Sequence, residues 1–454
     1  MTSPAIEVPL APAPIGALRA WSVVLVLLIL ATLASIDRNA IALMIDPIKA
    51  SFDLDDFQMG LLQGPAFAIF FLIGSLPMGW IVDRFSKNWT IYLAVTLWSL
   101  ATIACGLAES FVELLVARCL VGLGEAALHP AGWSIVARLF PPHRLGLAIS
   151  ILSAGAQVGA AGSYLLGGFL IAEASRMDGV TLPFVQALAP WQLVFIAAGI
   201  PGLLLGFLIF IAPRERRRDG VAGVPPAGEL AKFVRMNRAF LLYHFLGFGL
   251  LAAMVFGAAA WVPTYLLRNF DLDIRLVGLI LAFAALPVGA CGVVFAGWLV
   301  DRSFLHGRND AHLRHFAIAA ALAALVGGLG FAFGSSVAVC VLCFGLIQFI
   351  QPFSGVAGAV LQIATPSAFR GRISAAFILF YNVVGMTLGP SLVAFLADQV
   401  VGESQLGLAL ALNYAVLGAA AAGLLWRGRI HAHAAVLRNG RGALEDEANR
   451  LGSR

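Results

Sequence analysis

Residues 79–84 read G-W-I-V-D-R and residues 297–302 read G-W-L-V-D-R, an offset of 218 that divides the chain into two similar halves. Each motif closes an even-numbered apolar span. The echo continues beyond it: Arg144 in F-P-P-H-R follows Arg84 by 60 residues, and Arg370 in T-P-S-A-F-R follows Arg302 by 68. Two six-helix repeats, fused in tandem and in the same orientation, are the simplest reading of that spacing.

Composition agrees, since 60% of the 454 residues are apolar and only 12% are charged, which makes this a polytopic helical membrane protein. Twelve apolar spans can be marked at 20–45, 57–82, 89–108, 112–137, 145–172, 191–212, 239–267, 276–300, 314–334, 336–364, 373–398 and 404–426. Each is long enough to cross ~30 Å of hydrocarbon. They divide the chain into a disordered cytoplasmic tail (1–19), an N-terminal six-helix bundle (20–212), a cytoplasmic linker (213–238), a C-terminal six-helix bundle (239–427) and a second cytoplasmic tail (428–454).

Orientation follows from the loops, because Lys and Arg near span ends stay in the cytoplasm. With both termini inside, 23 of the 29 Lys and Arg residues fall on the inner side and four outside: Lys49, Arg176, Arg268 and Arg275. The remaining two, Arg38 and Arg118, lie within spans. The net charge of +5 then reports topology and not affinity for nucleic acid. A multi-pass protein of the cell's inner membrane is expected.

The five cysteines, Cys105, Cys119, Cys291, Cys340 and Cys343, all fall in apolar spans without metal-ligand spacing, and are expected reduced and packed. Small-residue pairs four apart, Gly60 with Gly64, Gly155 with Gly159 and Gly385 with Gly389, allow helix backbones to approach closely. The linker's Arg214, Arg216, Arg217 and Arg218 suit either anionic lipid headgroups or a solvated topology signal.

The chemistry concentrates in F-V-E-L-L-V-A-R-C-L-V-G-L-G-E-A-A-L-H-P (111–130), where Arg118 and Glu125 sit seven residues apart. Two helical turns, about 10 Å, put both side chains on one face. Charges at bilayer depth cost roughly 2.5–3.5 kcal/mol each even on a mild scale, so they must face a partner or a wet cavity. From the span limits Asp37 lies ~13 Å from the outer edge, Arg118 ~9 Å and Glu125 ~20 Å, at ~1.5 Å per residue. Asp37 thus falls between the other two in depth.

Twelve spans in two repeats, a long central loop and G-x-x-x-D-R at the inner ends of spans two and eight resemble the major facilitator superfamily. The loop signature after span two matches at Gly79, Asp83, Arg84 and, less regularly, Lys87. Within that superfamily I-D-R-N (36–39), R-C-L-V-G-L-G-E-A (118–126) with Pro130, and F-P-P-H-R (140–144) resemble the Spinster-like group. The resemblance implies an all-α membrane fold of two six-helix bundles with cytoplasmic termini. It also implies a proton-linked carrier of lysophospholipids, sphingosine phosphates or related amphiphiles, working by alternating access. A related pattern occurs in porters of sugar acids, which is the alternative.

In such a fold spans one and four line the central cavity, so Asp37, Arg118 and Glu125 would cluster there. Burial disfavours a carboxylate's charge and a nearby guanidinium favours it, so movement of the arginine is a way to load or release a proton. Asp37 and Glu125 are therefore the expected proton-coupling pair, and Arg118 the expected ligand for an anionic headgroup. Arg38, about 100° round the helix from Asp37, points either to another helix or to the outer end of the cluster.

The C-terminal half has no mid-span charge; its polar candidates are Tyr265, Gln348, Tyr381 and Asn382, with Tyr243, His244, Trp261, Gln351 and Ser354 beside them. A greasy wall facing a charged one suits a substrate with a polar head and an apolar tail. By family resemblance Asp83 and Arg84, with Asp301 and Arg302, would latch the halves at the inner face when the cavity opens outward.

Other classes lack their residues. Only Lys49, Lys87 and Lys232 exist, none in a phosphate-loop pattern and none mid-span, so neither ATP hydrolysis nor a retinal Schiff base is supported. No H-E-x-x-H motif or hydrolase grouping occurs, and no enzyme or cofactor is expected. A channel would lack saturable counterflow, and a lipid scramblase would ignore a proton gradient. The expected partners are an amphiphilic or anionic small molecule, protons and membrane lipids, with the protein a monomer.

Overall fold

The computed structural model describes residues 17–140, 142–174, 176, 188–213, 227–334, 336–351, 353–366 and 369–452. Among these the chain is helical and contains no β-strand.

The N-terminal half opens with α1 (Ala17–Asn39), which tightens into a 3₁₀ turn over Ala40–Leu43 before the short α2 (Ile45–Phe52). Span two is α3 (Asp56–Gln63) followed by α4 (Pro65–Arg84), and span three is α5 (Lys87–Gly106). Asp55 starts α3 by accepting from the Gln58 N–H while the Gln58 side chain accepts from Asp55 N–H. Then come α6 (Phe111–Glu125), α7 (Leu128–Leu139), α8 (Pro142–Ala174) and α9 (Pro190–Leu205). Within the stretch expected as linker lies α10 (Ala227–Met236).

The C-terminal half holds α11 (Arg238–Phe270), α12 (Ile274–Phe283) and α13 (Gly289–Leu305), α14 (Ala311–Phe333), α15 (Val337–Ile350) and α16 (Ser354–Ala364), α17 (Arg370–Phe395) and α18 (Leu406–Gly452). A π turn containing Pro287 joins α12 to α13, which accommodates the missing N–H without ending the span. The last helix runs on well past the expected start of the C-terminal tail.

Eleven helical stretches of the described chain are long and apolar enough to cross a membrane. The twelfth expected span, 112–137, is present in two pieces, α6 and α7, because Pro130 has no N–H for the Ala126 carbonyl and its ring crowds that position. The helix restarts when Ala131 N–H bonds the Ala127 carbonyl at 3.2 Å.

Close backbone approach, not apolar burial, holds such helices to one another in lipid. The glycine pairs do this here. A methyl at Gly155 would stand 2.8 Å from both the Ala31 Cβ and the Leu28 carbonyl, seating α8 on α1. Gly60 leaves 2.7 Å between such a methyl and the Ala394 Cβ, seating α3 on α17 across the two halves. The halves meet along two seams, α8 against α12 and α3 with α4 against α17. The first seam is also tied by Tyr164 O–H, which donates to the Ala259 carbonyl of α11 at 3.1 Å.

Candidate functional site

The charged cluster assembles where α1 ends against α4, α5 and α6. Glycines bring α6 close enough: a methyl at Gly124 would lie 2.9 Å from the Trp98 N and Cβ of α5, while Gly122 abuts the Phe67 backbone of α4. Glu125 is the last residue of α6, just before the break.

Asp37, Arg118 and Glu125 are all buried, at 2%, 1% and 2% exposure. Arg38 is the side chain that pairs with Glu125, and its own side chain is 24% exposed. Arg118 instead donates to the backbone carbonyls of Asp37 and Arg38, each at 3.3 Å. These carbonyls belong to the last turn of α1, where tightening into the 3₁₀ turn leaves acceptors in need of donors and where a cation also complements the helix dipole. Both guanidiniums lie near the Phe67 ring, Arg38 at 4.8 Å and Arg118 at 6.0 Å from its centroid.

Asp37 has one oxygen 3.3 Å from the Thr102 hydroxyl and the other without a hydrogen-bond partner among the described residues. Arg38 Nε, Arg118 Nε and Glu125 Oε1 are likewise unpartnered. The cluster therefore holds two acids, two cations and spare hydrogen-bonding capacity in a nearly dry place. Gain of a proton by Glu125 would release Arg38, the one member that reaches open space.

That space is a small cavity, of about 40 Å³, between the halves. Arg38, Asn39, Ile41 and Gln63 line it from the N-terminal half, and Phe256, Ala260, Met386 and Pro390 from the other. The polar groups come from one wall only. Tyr381 is half-buried against Phe353 and Phe377 and lies within electrostatic reach of Arg38. Asn382 bonds back to the Ile378 carbonyl at 2.9 Å, and Gln348 is half-buried. Tyr265 lies away from the cluster, packed on Phe270 and Phe331 with its hydroxyl 3.4 Å from Cys340 Sγ. Trp261 donates to the Pro390 carbonyl at 3.0 Å, and His244 is enclosed by Phe240, Phe245, Phe248 and Phe377.

At the end of the bundle opposite the termini, ion pairs join the halves. Arg268 of α11 bonds Asp46 at 2.6 Å and Asp56 at 2.8 Å, and Lys49 bridges Asp56 at 2.5 Å and Glu403 at 3.2 Å. Arg275 pairs with Glu173, and Phe57 N–H donates to Asp398. In the sequence Lys49, Arg268 and Arg275 carry a topology signal alone; the one local hint of these pairs is the acid-rich loop Asp53, Asp55 and Asp56, which calls for cations from elsewhere. At the other end Arg84, Asp301 and Arg302 are exposed, and Arg302 lies over Trp298 at 5.3 Å. The side chains of Asp83, Arg144 and Ser354, and the whole of residues 214–226, lie outside the described part.

Residues 27–390 match the profile of the Major Facilitator Superfamily. The chain belongs to that superfamily. It is a multi-pass membrane transporter and not an enzyme. Among curated members it is similar to an MFS-type efflux pump of Mycolicibacterium smegmatis, 26% identical over 90% of this chain and 93% of that one. It is similar also to a hexuronate transporter of Bacillus subtilis, 24% identical over 83% of this chain and 88% of that one. Among solved structures it superposes on a bacterial homologue of the human lysosomal transporter Spinster in an inward-facing, unoccupied conformation. That match has a TM-score of 0.77 at 23% identity, over 93% of this chain and 99% of the other. The superfamily fold is the one expected from the twelve spans and the repeated G-x-x-x-D-R, and the Spinster homologue is a structural neighbour, in line with the resemblance carried by residues 36–39, 118–126 and 140–144.

Proposed function

We propose that this protein is a proton-coupled secondary transporter of an amphiphilic organic anion, operating by alternating access, with a lysophospholipid or a sphingosine-phosphate-like lipid as the substrate type. The observation that carries this reading is Arg38, which pairs with a buried Glu125 and also faces a cavity whose opposite wall is apolar.

The proposed cycle runs through that pair. Protonated Glu125 no longer satisfies Arg38, and an unpaired guanidinium beside Phe67 in a poorly hydrated cavity attracts a carboxylate or phosphate, which its planar fork can hold by two bonds. The apolar body of the substrate then rests on Phe256, Ala260 and Met386. Loss of the proton restores the Arg38–Glu125 pair and expels the anion. Asp37, bonded to Thr102 and near both arginines, is the second proton carrier, and Arg118 holds the end of α1 so that Arg38 keeps its aim. The salt-bridged end is the closed outer gate of an inward-facing state. The pairs Asp83–Arg84 and Asp301–Arg302 form the latch of the opposite state.

The hexuronate relative supports a second reading, a proton-coupled porter of sugar acids, which would use the same arginine and would call on Asn39 and Gln63 for hydroxyl groups. Uptake into proteoliposomes of a lysophospholipid, a sphingosine phosphate and a hexuronate, with and without a pH gradient, separates the two. Arg38→Gln is expected to abolish uptake, whereas Glu125→Gln keeps binding and loses accumulation driven by the gradient. Full activity of Arg38→Gln, or gradient dependence that survives in both Glu125→Gln and Asp37→Asn, would overturn the scheme.

A further inference from the structure

We propose that the cleft between the α13–α14 turn and the cytoplasmic part of α18 is a binding site for the phosphate headgroup of an anionic membrane lipid. It is separate from the transport cavity and independent of what that cavity carries. The cleft, of about 350 Å³, is lined by Gly307, Arg308, Asp310, Arg429, Ile430 and His433.

Its two arginines are placed by the backbone. At the end of α13, Gly307 N–H bonds the Phe304 carbonyl at 2.9 Å and Arg308 N–H bonds the Ser303 carbonyl at 3.3 Å, with Gly307 at φ +83°. This is the paired-bond helix stop in which the left-handed position favours glycine, and it fixes where Arg308 leaves the helix. On the other side, Gly428 lets α18 lie against α11 and α14: a methyl there would stand 2.6 Å from Tyr243 Cβ and 3.1 Å from Leu313. Arg429 follows directly.

Three observations point to an anion at headgroup depth. Arg429 lies over the Trp426 indole at 3.8 Å and Arg314 flanks the same ring at 5.9 Å, so one aromatic holds two guanidiniums together. Trp426 is 41% exposed beside Ile430 at 66% and Leu305 at 84%, the mixture of an amphipathic ring and bare aliphatic side chains found where a span meets the interface. Finally, among the described residues no acid forms an ion pair with Arg308, Arg314 or Arg429, although Asp310 lines the same cleft. Cations at a pocket between spans, engaged in no ion pair among the described residues and with apolar side chains alongside, fit a phosphate that carries acyl chains.

The test is native mass spectrometry of the detergent-purified full chain, titrated with phosphatidylglycerol or phosphatidylcholine. The wild type is expected to retain phosphatidylglycerol about 30-fold better, the scale of attraction two arginines give near a membrane surface. Arg308→Gln with Arg429→Gln should bring that ratio close to one, and the single variant Arg429→Gln repeats the test should the double variant aggregate. The lysine pair Arg308→Lys with Arg429→Lys should keep most of the preference. Arg372→Gln, which removes an exposed cation at the start of α17, should leave it unchanged. No preference in the wild type, or a preference that survives loss of both arginines, overturns the site. Removal of the preference by millimolar inorganic phosphate would assign the cleft to a free anion and overturn the lipid.

Discussion

Replacement of Arg268 by alanine should open the salt-bridged end of the transporter. Asp56 is wholly buried and takes bonds from Arg268 at 2.8 and 2.9 Å; without that guanidinium its carboxylate keeps only Lys49, which belongs to the same half. Truncating one partner of a buried, hydrogen-bonded charge pair costs roughly 2–5 kcal/mol. The lower end applies here, because Lys49 still compensates Asp56 and because Asp46, 44% exposed, adds a pair that water screens. About 2 kcal/mol changes the ratio of closed to open conformers about 30-fold in favour of open. The assay is the distance distribution between spin labels at Leu107 and Ser404, exposed positions of the two halves at this end, in a background with the native cysteines replaced. Arg176→Ala, whose pairing with Glu173 is largely exposed, serves as the control. A population ratio that moves less than about threefold in Arg268→Ala would refute the argument that this residue holds the end shut.

Gly124→Ala should lower the thermal midpoint in detergent by overpacking α6 against Trp98, at a cost of about 1–3 kcal/mol; an unchanged midpoint would mean the two helices have room. Reporter fusions after Arg216 and after Arg450 should both read cytoplasmic, in line with where Lys and Arg concentrate, and an external signal from either would overturn the orientation.

Much of the architecture was open to reading because membrane helices declare themselves by length and apolarity. The repeat of G-W-x-V-D-R located the midpoint, and the pairs Gly60–Gly64 and Gly155–Gly159 marked surfaces where backbones do meet. Spacing also brought Asp37, Arg118 and Glu125 to one neighbourhood, since depth along a helix follows from counting residues. Rotation does not. Which of Arg38 and Arg118 faces the cavity depends on the 3₁₀ turn that begins at Ala40 and on the carbonyls it leaves for Arg118, and neither is written in a local pattern. The ion pairs at the end opposite the termini were hidden for a different reason: Asp46 and Arg268 are 222 residues apart and each looks like an ordinary loop charge until the halves are assembled.

The way α6 is neutralised bears on how the chain is made. Arg118 finds its acceptors on the Asp37 and Arg38 carbonyls, and Glu125 finds its cation in Arg38, so the charges of the fourth span are satisfied by the first. On insertion scales Arg118 and Glu125 together oppose partitioning by about 5–7 kcal/mol, and Asp37 with Arg38 burden the first span similarly. During synthesis α1 must therefore wait with its polar end uncompensated until residues up to Phe140 have emerged, and span four enters the bilayer best as the partner of a span already there. A lesion in α1 should therefore appear first as failed insertion of α6.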